Sequence, residues 1–110
     1  MYDIVIKENG NFEQQAYTRK SDVLKNLSIL FRAMSHYQSG ISSIELSENG
    51  LSKLHIKHME GTISDDFFIE RVGISPVVVK DRALGYLVYI DGECKEVFSR
   101  IADLFKYLWR

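Results

Sequence analysis

Three histidines, one cysteine and a pair of adjacent aspartates are the residues of this 110-residue chain whose types and spacing first suggest chemistry. His55 and His58 invite a metal, since imidazole is the commonest transition-metal ligand. On a strand from Leu51 to His58, however, residues an odd number apart point to opposite faces, so the two rings diverge. His36 is remote in sequence. No Cys-x-x-Cys or His-Glu-x-x-His spacing supplies the rest of a tetrahedral zinc set.

Cys94, near the start of an expected helix, could gain thiolate character from exposed amides. It falls on one apolar arc with Val97, Phe98 and Ile101, where a thiol acts as a small buried hydrophobe. Asp65 and Asp66, near Glu60 and Glu70, could divide acid and base roles if their side chains converged. Neighbours on a strand face opposite ways, and on a helix they stand about 100° apart. A first-turn cap or a solvated loop accounts for them better. The glycines form no Gly-x-Gly-x-x-Gly or Gly-x-x-x-x-Gly-Lys loop, and no serine sits in a Gly-x-Ser-x-Gly elbow. The expectation is a non-enzymatic chain with no catalytic set, no metal and no cofactor.

Nucleic-acid binding needs clustered cations, and the best cluster is Tyr17-Thr18-Arg19-Lys20 with Lys25 and Arg32. Glu13 and Asp22 dilute it. Fourteen Lys and Arg against fifteen Asp and Glu leave a formal charge of −1, which disfavours a polyanionic partner or an anionic membrane surface. A single cysteine forms no internal disulfide, which points to a reducing compartment. Met1-Tyr2-Asp3-Ile4-Val5-Ile6-Lys7 reads as a first strand rather than a leader. With no run near the ~20 apolar residues a membrane span needs, the expected location is the cytoplasm. A 45% hydrophobic, 26% charged composition is that of a globular domain, and one domain over residues 1–110 is expected.

The positioning elements follow from periodicity. Tyr2, Ile4 and Ile6 alternate with polar or smaller partners, Glu8-Asn9-Gly10-Asn11 turns the chain, and Phe12 to Thr18 returns it as a hairpin. Ser21 is placed to cap a helix from about Asp22 to Tyr37, whose stripe is Val23, Leu24, Leu27, Leu30, Phe31 and Met34, with Gly40 as a stop. Ile41 to Ser47 and Leu51 to His58 flank Glu48-Asn49-Gly50, a strong hairpin signal, with Ile44, Leu46, Leu54 and Ile56 facing the core. Glu60 to Ser75 reads as a strand or irregular excursion, with a short helix as the alternative. Pro76 precedes a strand at Val77-Val78-Val79, and Lys80 to Ala83 turns the chain. Leu84 to Ile90, apolar on both faces, reads as a central strand covered on both sides. A last helix is expected to open at Asp91-Gly92-Glu93 and run almost to Arg110.

Together these predict an α+β two-layer sandwich: a mainly antiparallel sheet of five to six strands and two main helices. The order is similar to that of the longin and roadblock group of small adaptor domains, where a hairpin and a helix precede a meander and a last helix. The likeness is one of element order, and order alone assigns no function.

What remains is surface. Ile29 lies opposite the buried stripe of its helix, framed by Asp22, Lys25, Arg32 and His36, as a contact anchor with a polar rim would be. Tyr107 is expected to stand on the last helix among Glu96, Arg100 and Asp103, with Glu96 and Arg100 at ion-pair spacing. Tyr107, Tyr37 and Trp109 as mere edges of the core are the plain counter-reading. The leading expectation is a small protein-binding domain of microbial or viral origin, an inhibitor, immunity or anti-defence protein that occludes a macromolecular target. Its contacts would be Ile29, Arg32, Lys25, His36, Tyr107 and Arg100. The alternatives are a homo-oligomeric structural or adaptor subunit that buries Ile29 or the Phe12–Thr18 edge against its own copy, and a small enzyme or ligand-binding domain with dispersed residues such as Cys94, His55, Asp65 and Asp66.

Overall fold

The computed structural model describes residues 1–35, 39–58 and 66–110. His36, Tyr37, Glu60, Ser64 and Asp65 lie outside the described residues, and so do the expectations that rest on them. The chain opens as a hairpin, β1 (Tyr2–Glu8) and β2 (Asn11–Tyr17), followed by helix α1 (Lys20–Met34). A meander follows: β3 (Ile41–Glu48), β4 (Leu51–His58), β5 (Asp66–Glu70), β6 (Val77–Asp81), β7 (Gly85–Ile90) and β8 (Glu93–Phe98). Helix α2 (Ile101–Leu108) closes the fold. The strands form one antiparallel sheet of eight, ordered β2-β1-β3-β4-β5-β6-β7-β8.

An α+β architecture with two helices is therefore observed, but with eight strands rather than five to six. Two segments account for the difference. Asp66–Glu70 is a strand, resolving the ambiguous stretch in favour of its β-preferring Phe67, Phe68 and Ile69. Glu93–Phe98 is also a strand, where the apolar spacing predicts the opening of the last helix. Asp91 and Gly92 carry φ of 53° and 79°, the paired positive values of a tight hairpin turn, so they send the chain back along β7. Asn9-Gly10 and Asn49-Gly50 do the same for the first two hairpins. Helix α2 thus begins only at Ile101, and Cys94 is exposed on β8 rather than buried on a helical arc.

Helix α1 starts two residues earlier than Ser21 as its cap would set it. Arg19 holds the N-cap in extended conformation without a side-chain bond, and its carbonyl accepts from the Val23 amide at 3.2 Å. Ser21 then sits inside the first turn. The stripe Val23, Leu27, Phe31 and Met34 is buried as its spacing dictates.

One core lies between the sheet and the two helices. Ile4, Ile6, Ile44, Leu46, Leu54, Ile56, Phe67, Ile69, Val78 and Val88 line its sheet side, and Ile101, Leu104, Phe105 and Leu108 of α2 join α1 above them. Phe31 ties the layers together, with ring centroids 4.6 Å from Phe67 and 5.4 Å from Phe105. Helix α2 runs from the β8 edge back toward β1, where Trp109 meets Tyr2 edge-on at 5.4 Å. Arg71, just past β5, donates to the Leu108 carbonyl at 2.9 Å and so satisfies a C-terminal acceptor of α2.

Both helices lie on one face of the sheet. Strand β7 is therefore covered on one side only: Val88 is buried, while Leu87 and Tyr89 point to the uncovered face. The expectation of cover on both sides fails because an antiparallel meander brings no crossover helix to the second face.

The β6–β7 turn is held by one carboxylate. Asp81 accepts from the amides of Leu84 and Ala83, both at 2.8 Å, and these bonds hold its pKa below the ordinary value of 3.8. A depressed folded value means that the stabilisation is full above pH 3.8 and is lost as pH falls through the folded value. The gap in Tm between wild type and Asp81→Ala is expected to stay constant from pH 7 to about 5 and to narrow in acid below that. A gap that is constant down to about pH 2 would show that the charge on Asp81 plays no part.

Candidate functional site

The uncovered sheet face divides into a polar half and an apolar half, and the period of two decides which residues reach it. On the polar half, pairing aligns Val5 of β1, Glu45 of β3, His55 of β4 and Glu70 of β5 in one row. The adjacent row carries Phe12, Lys7, Ser43, Lys57 and then Phe68. His55 Nδ1 lies 3.4 Å from Glu45 Oε2 and 3.8 Å from Glu70 Oε2. Lys57 Nζ donates to Glu70 Oε1 at 2.7 Å. That hydrogen bond, then the charge of Lys57 and last that of His55, hold Glu70 below the usual carboxylate range against an opposing effect of desolvation. A depression of about 400 Å³ opens here between Lys7, Phe12, Glu45, His55 and Lys57.

This arrangement can form ion pairs and hydrogen bonds with a polar ligand. Among the described residues no group of three or more His, Cys, Asp or Glu is placed to hold a metal ion. His58, three residues from His55, packs on Phe67 at 5.2 Å between ring centroids and borders the same depression as His55. Asp66 opposes Val79, away from the His55 row, and Cys94 stands at the far β8 edge. The dispersed candidates Cys94, His55 and Asp66 are not brought together.

The apolar half spans β5 to β8. One row is Phe68, Val77, Tyr89 and Cys94; the next is Asp66, Val79, Leu87 and Val97. Four strands cover about 15 Å across the sheet, and rows two residues apart lie about 7 Å from each other. Phe68 is 38% and Val97 51% exposed, and the residues between them are half-buried. No helix of the described residues covers this surface. Compared with known proteins, the chain matches no protein-family model, no curated protein and no solved structure. The reading of this surface rests on its own geometry.

The contacts expected from sequence occupy other places. Ile29 is 53% exposed on the outer side of α1, with Lys25 and Arg32 exposed on the same helix. Tyr107 is half-buried, its ring 5.3 Å from that of Phe98 and beneath the Arg110 guanidinium at 4.3 Å, so it edges the core instead of standing free. Arg100 holds the N-cap of α2 and is exposed. Glu96 belongs to β8, so the helical Glu96–Arg100 pair does not exist. Sequence reasoning misses the apolar half because it places Val97 and Cys94 on a helix and Leu87 and Tyr89 in a core. The alternation of Leu87, Tyr89 and Val97 about the Asp91-Gly92 turn is the signal that could have found it.

No described helix is long and apolar enough to cross a membrane.

Proposed function

We propose that this chain is a small non-enzymatic protein-binding domain, of the inhibitor, immunity or anti-defence kind, that occludes a macromolecular target. The observation that carries this reading is the apolar half of the uncovered sheet face, Phe68, Val77, Val79, Leu87, Tyr89 and Val97, in a chain whose helix-side core is already complete. A contiguous apolar patch with a charged rim is the anatomy of a protein contact. Here the rim, on the β4–β5 side, is Lys57 with Glu70, joined at 2.7 Å. Mixed charge in the rim favours a protein over a polyanion. Ile29 with Lys25 and Arg32 offers a single apolar residue and is the weaker surface.

Capture from host lysate, with folding checked by circular dichroism, separates the two surfaces. Wild type is expected to retain one protein in stoichiometric amount, and Leu87→Asp with Val97→Asp to lose it at least tenfold, as desolvating two carboxylates requires. Ile29→Asp and Tyr107→Ala are expected to retain it. Loss through Ile29→Asp alone would move the contact to α1, and capture of nothing by the wild type would overturn the reading.

A further inference from the structure

The two edges of the sheet are built differently. At one edge, β8 carries a register shift opposite Val88 and Tyr89 and a lysine, Lys95, at the irregularity. A bulge and an edge lysine are the devices that stop a sheet from adding strands. The other edge, β2, pairs with β1 in unbroken register from Asn11 to Tyr17 and contains no Lys, Arg or Pro. No strand among the described residues pairs with its outer side. Phe12, at 72% exposure, stands on it.

The two-residue turn at Asn9-Gly10 fixes which backbone groups of β2 point outward. The residues flanking such a turn, Glu8 and Asn11, form a hydrogen-bonded pair, and bonded and non-bonded pairs alternate from there. Glu13, Gln15 and Tyr17 therefore bond to β1, while Phe12, Gln14 and Ala16 turn their amides and carbonyls away from it.

The sequence around Gln14 is self-complementary. An antiparallel twofold through Gln14 sets Phe12 opposite Ala16 of the second strand, the largest outward side chain against the smallest. It sets Gln14 opposite Gln14, and Glu13 opposite the neutral Gln15, so no like charges meet. The three outward residues of each strand then fall in bonded pairs, two bonds to a pair, about six in all.

We propose that β2 pairs with β2 of a second copy about a twofold axis at Gln14, joining two eight-stranded sheets into one. Both apolar halves then lie at the outer ends of the joined sheet, free for targets and able to engage two at once. The inference does not depend on the proposed target contact, because the two surfaces sit at opposite ends of the sheet.

The test is the mass of the full chain by light scattering and sedimentation across a concentration series. Wild type is expected at twice the 12.7 kDa of one chain. Gln14→Lys alone and Gln14→Glu alone each set like charges across the axis and are expected to weaken the dimer about tenfold or more, while an equimolar mixture of the two restores it. Gln14→Pro, which removes an amide that bonds nothing within the monomer, is expected to keep the fold and lose the dimer. A wild type that stays monomeric at about 0.5 mM, where a dimer with a Kd of about 0.1 mM or tighter would be mostly assembled, overturns the proposal. So does a dimer indifferent to all three Gln14 substitutions, and a dimer broken by Leu87→Asp but not by Gln14→Lys would assign self-association to the uncovered face instead.

Discussion

Phe31→Ala is expected to lower the unfolding free energy by about 3–5 kcal/mol, the range for removing a fully buried phenylalanine. Phe31 has no solvent exposure, and its ring meets Phe67 of β5, Phe105 of α2 and, at 5.9 Å, Tyr86 of β7. It is the point where α1, α2 and the sheet close on one another, and those rings are too rigid to collapse into the space it leaves. Urea unfolding at constant m-value measures the loss, and Ile29→Ala on the outer side of the same helix is the control, expected within about 0.5 kcal/mol of wild type. A Phe31→Ala loss below about 1 kcal/mol would mean that the helices do not pack on the sheet through this ring.

The second large effect is steric. Gly85 opens β7 at φ +100°, and a Cβ there would lie 2.4 Å from the Phe98 carbonyl oxygen and 3.0 Å from Ser99 Cα. Both atoms belong to the backbone leading from β8 into α2, so neither can swing aside. Gly50, at φ +81° in the β3–β4 turn, has nothing within 4 Å of the same position. Gly50→Ala thus measures the conformational cost alone, about 1–2 kcal/mol. Gly85→Ala adds the clash and is expected to cost about 3 kcal/mol or more. Thermal unfolding of the pair decides it: equal losses would mean that β7 and β8 do not approach so closely at this end.

The first of these concerns the helix-side core, most of whose members are legible in residue spacing alone. Val23, Leu27, Phe31 and Met34 recur at helical spacing, and Ile4, Ile6, Ile44, Leu46, Leu54 and Ile56 at strand spacing. Each set is buried as its period requires. The candidate site is less legible, because its residues meet only through pairing between strands. Glu45, His55 and Glu70 come from β3, β4 and β5, and nothing in their separate segments aligns them. Asp91-Gly92 reads as the opening of a helix because Cys94, Val97, Phe98 and Ile101 satisfy an apolar arc. That arc masks a turn signal of the same kind as Asn49-Gly50.

The β3–β4 hairpin shows where the boundary lies. Local sequence determined the turn at Asn49-Gly50, the two strands and the inward set of apolar residues. A turn of this kind, continued without interruption from the pair Glu48–Leu51, would set Leu46 against Lys53 and Glu45 against Leu54, opposing a core residue with a charged one. The register shifts between Leu46 and Ser47 instead, which returns Leu46 to Leu54, Ile44 to Ile56 and Glu45 to His55. The sequence by itself determined most of the elements and turns and the buried stripes of α1 and β1 to β4, since each depends on residues a few positions apart. Only the tertiary structure decided the registers, the one-sided placement of both helices and hence the uncovered face, because those follow from burying all the stripes against one another at once.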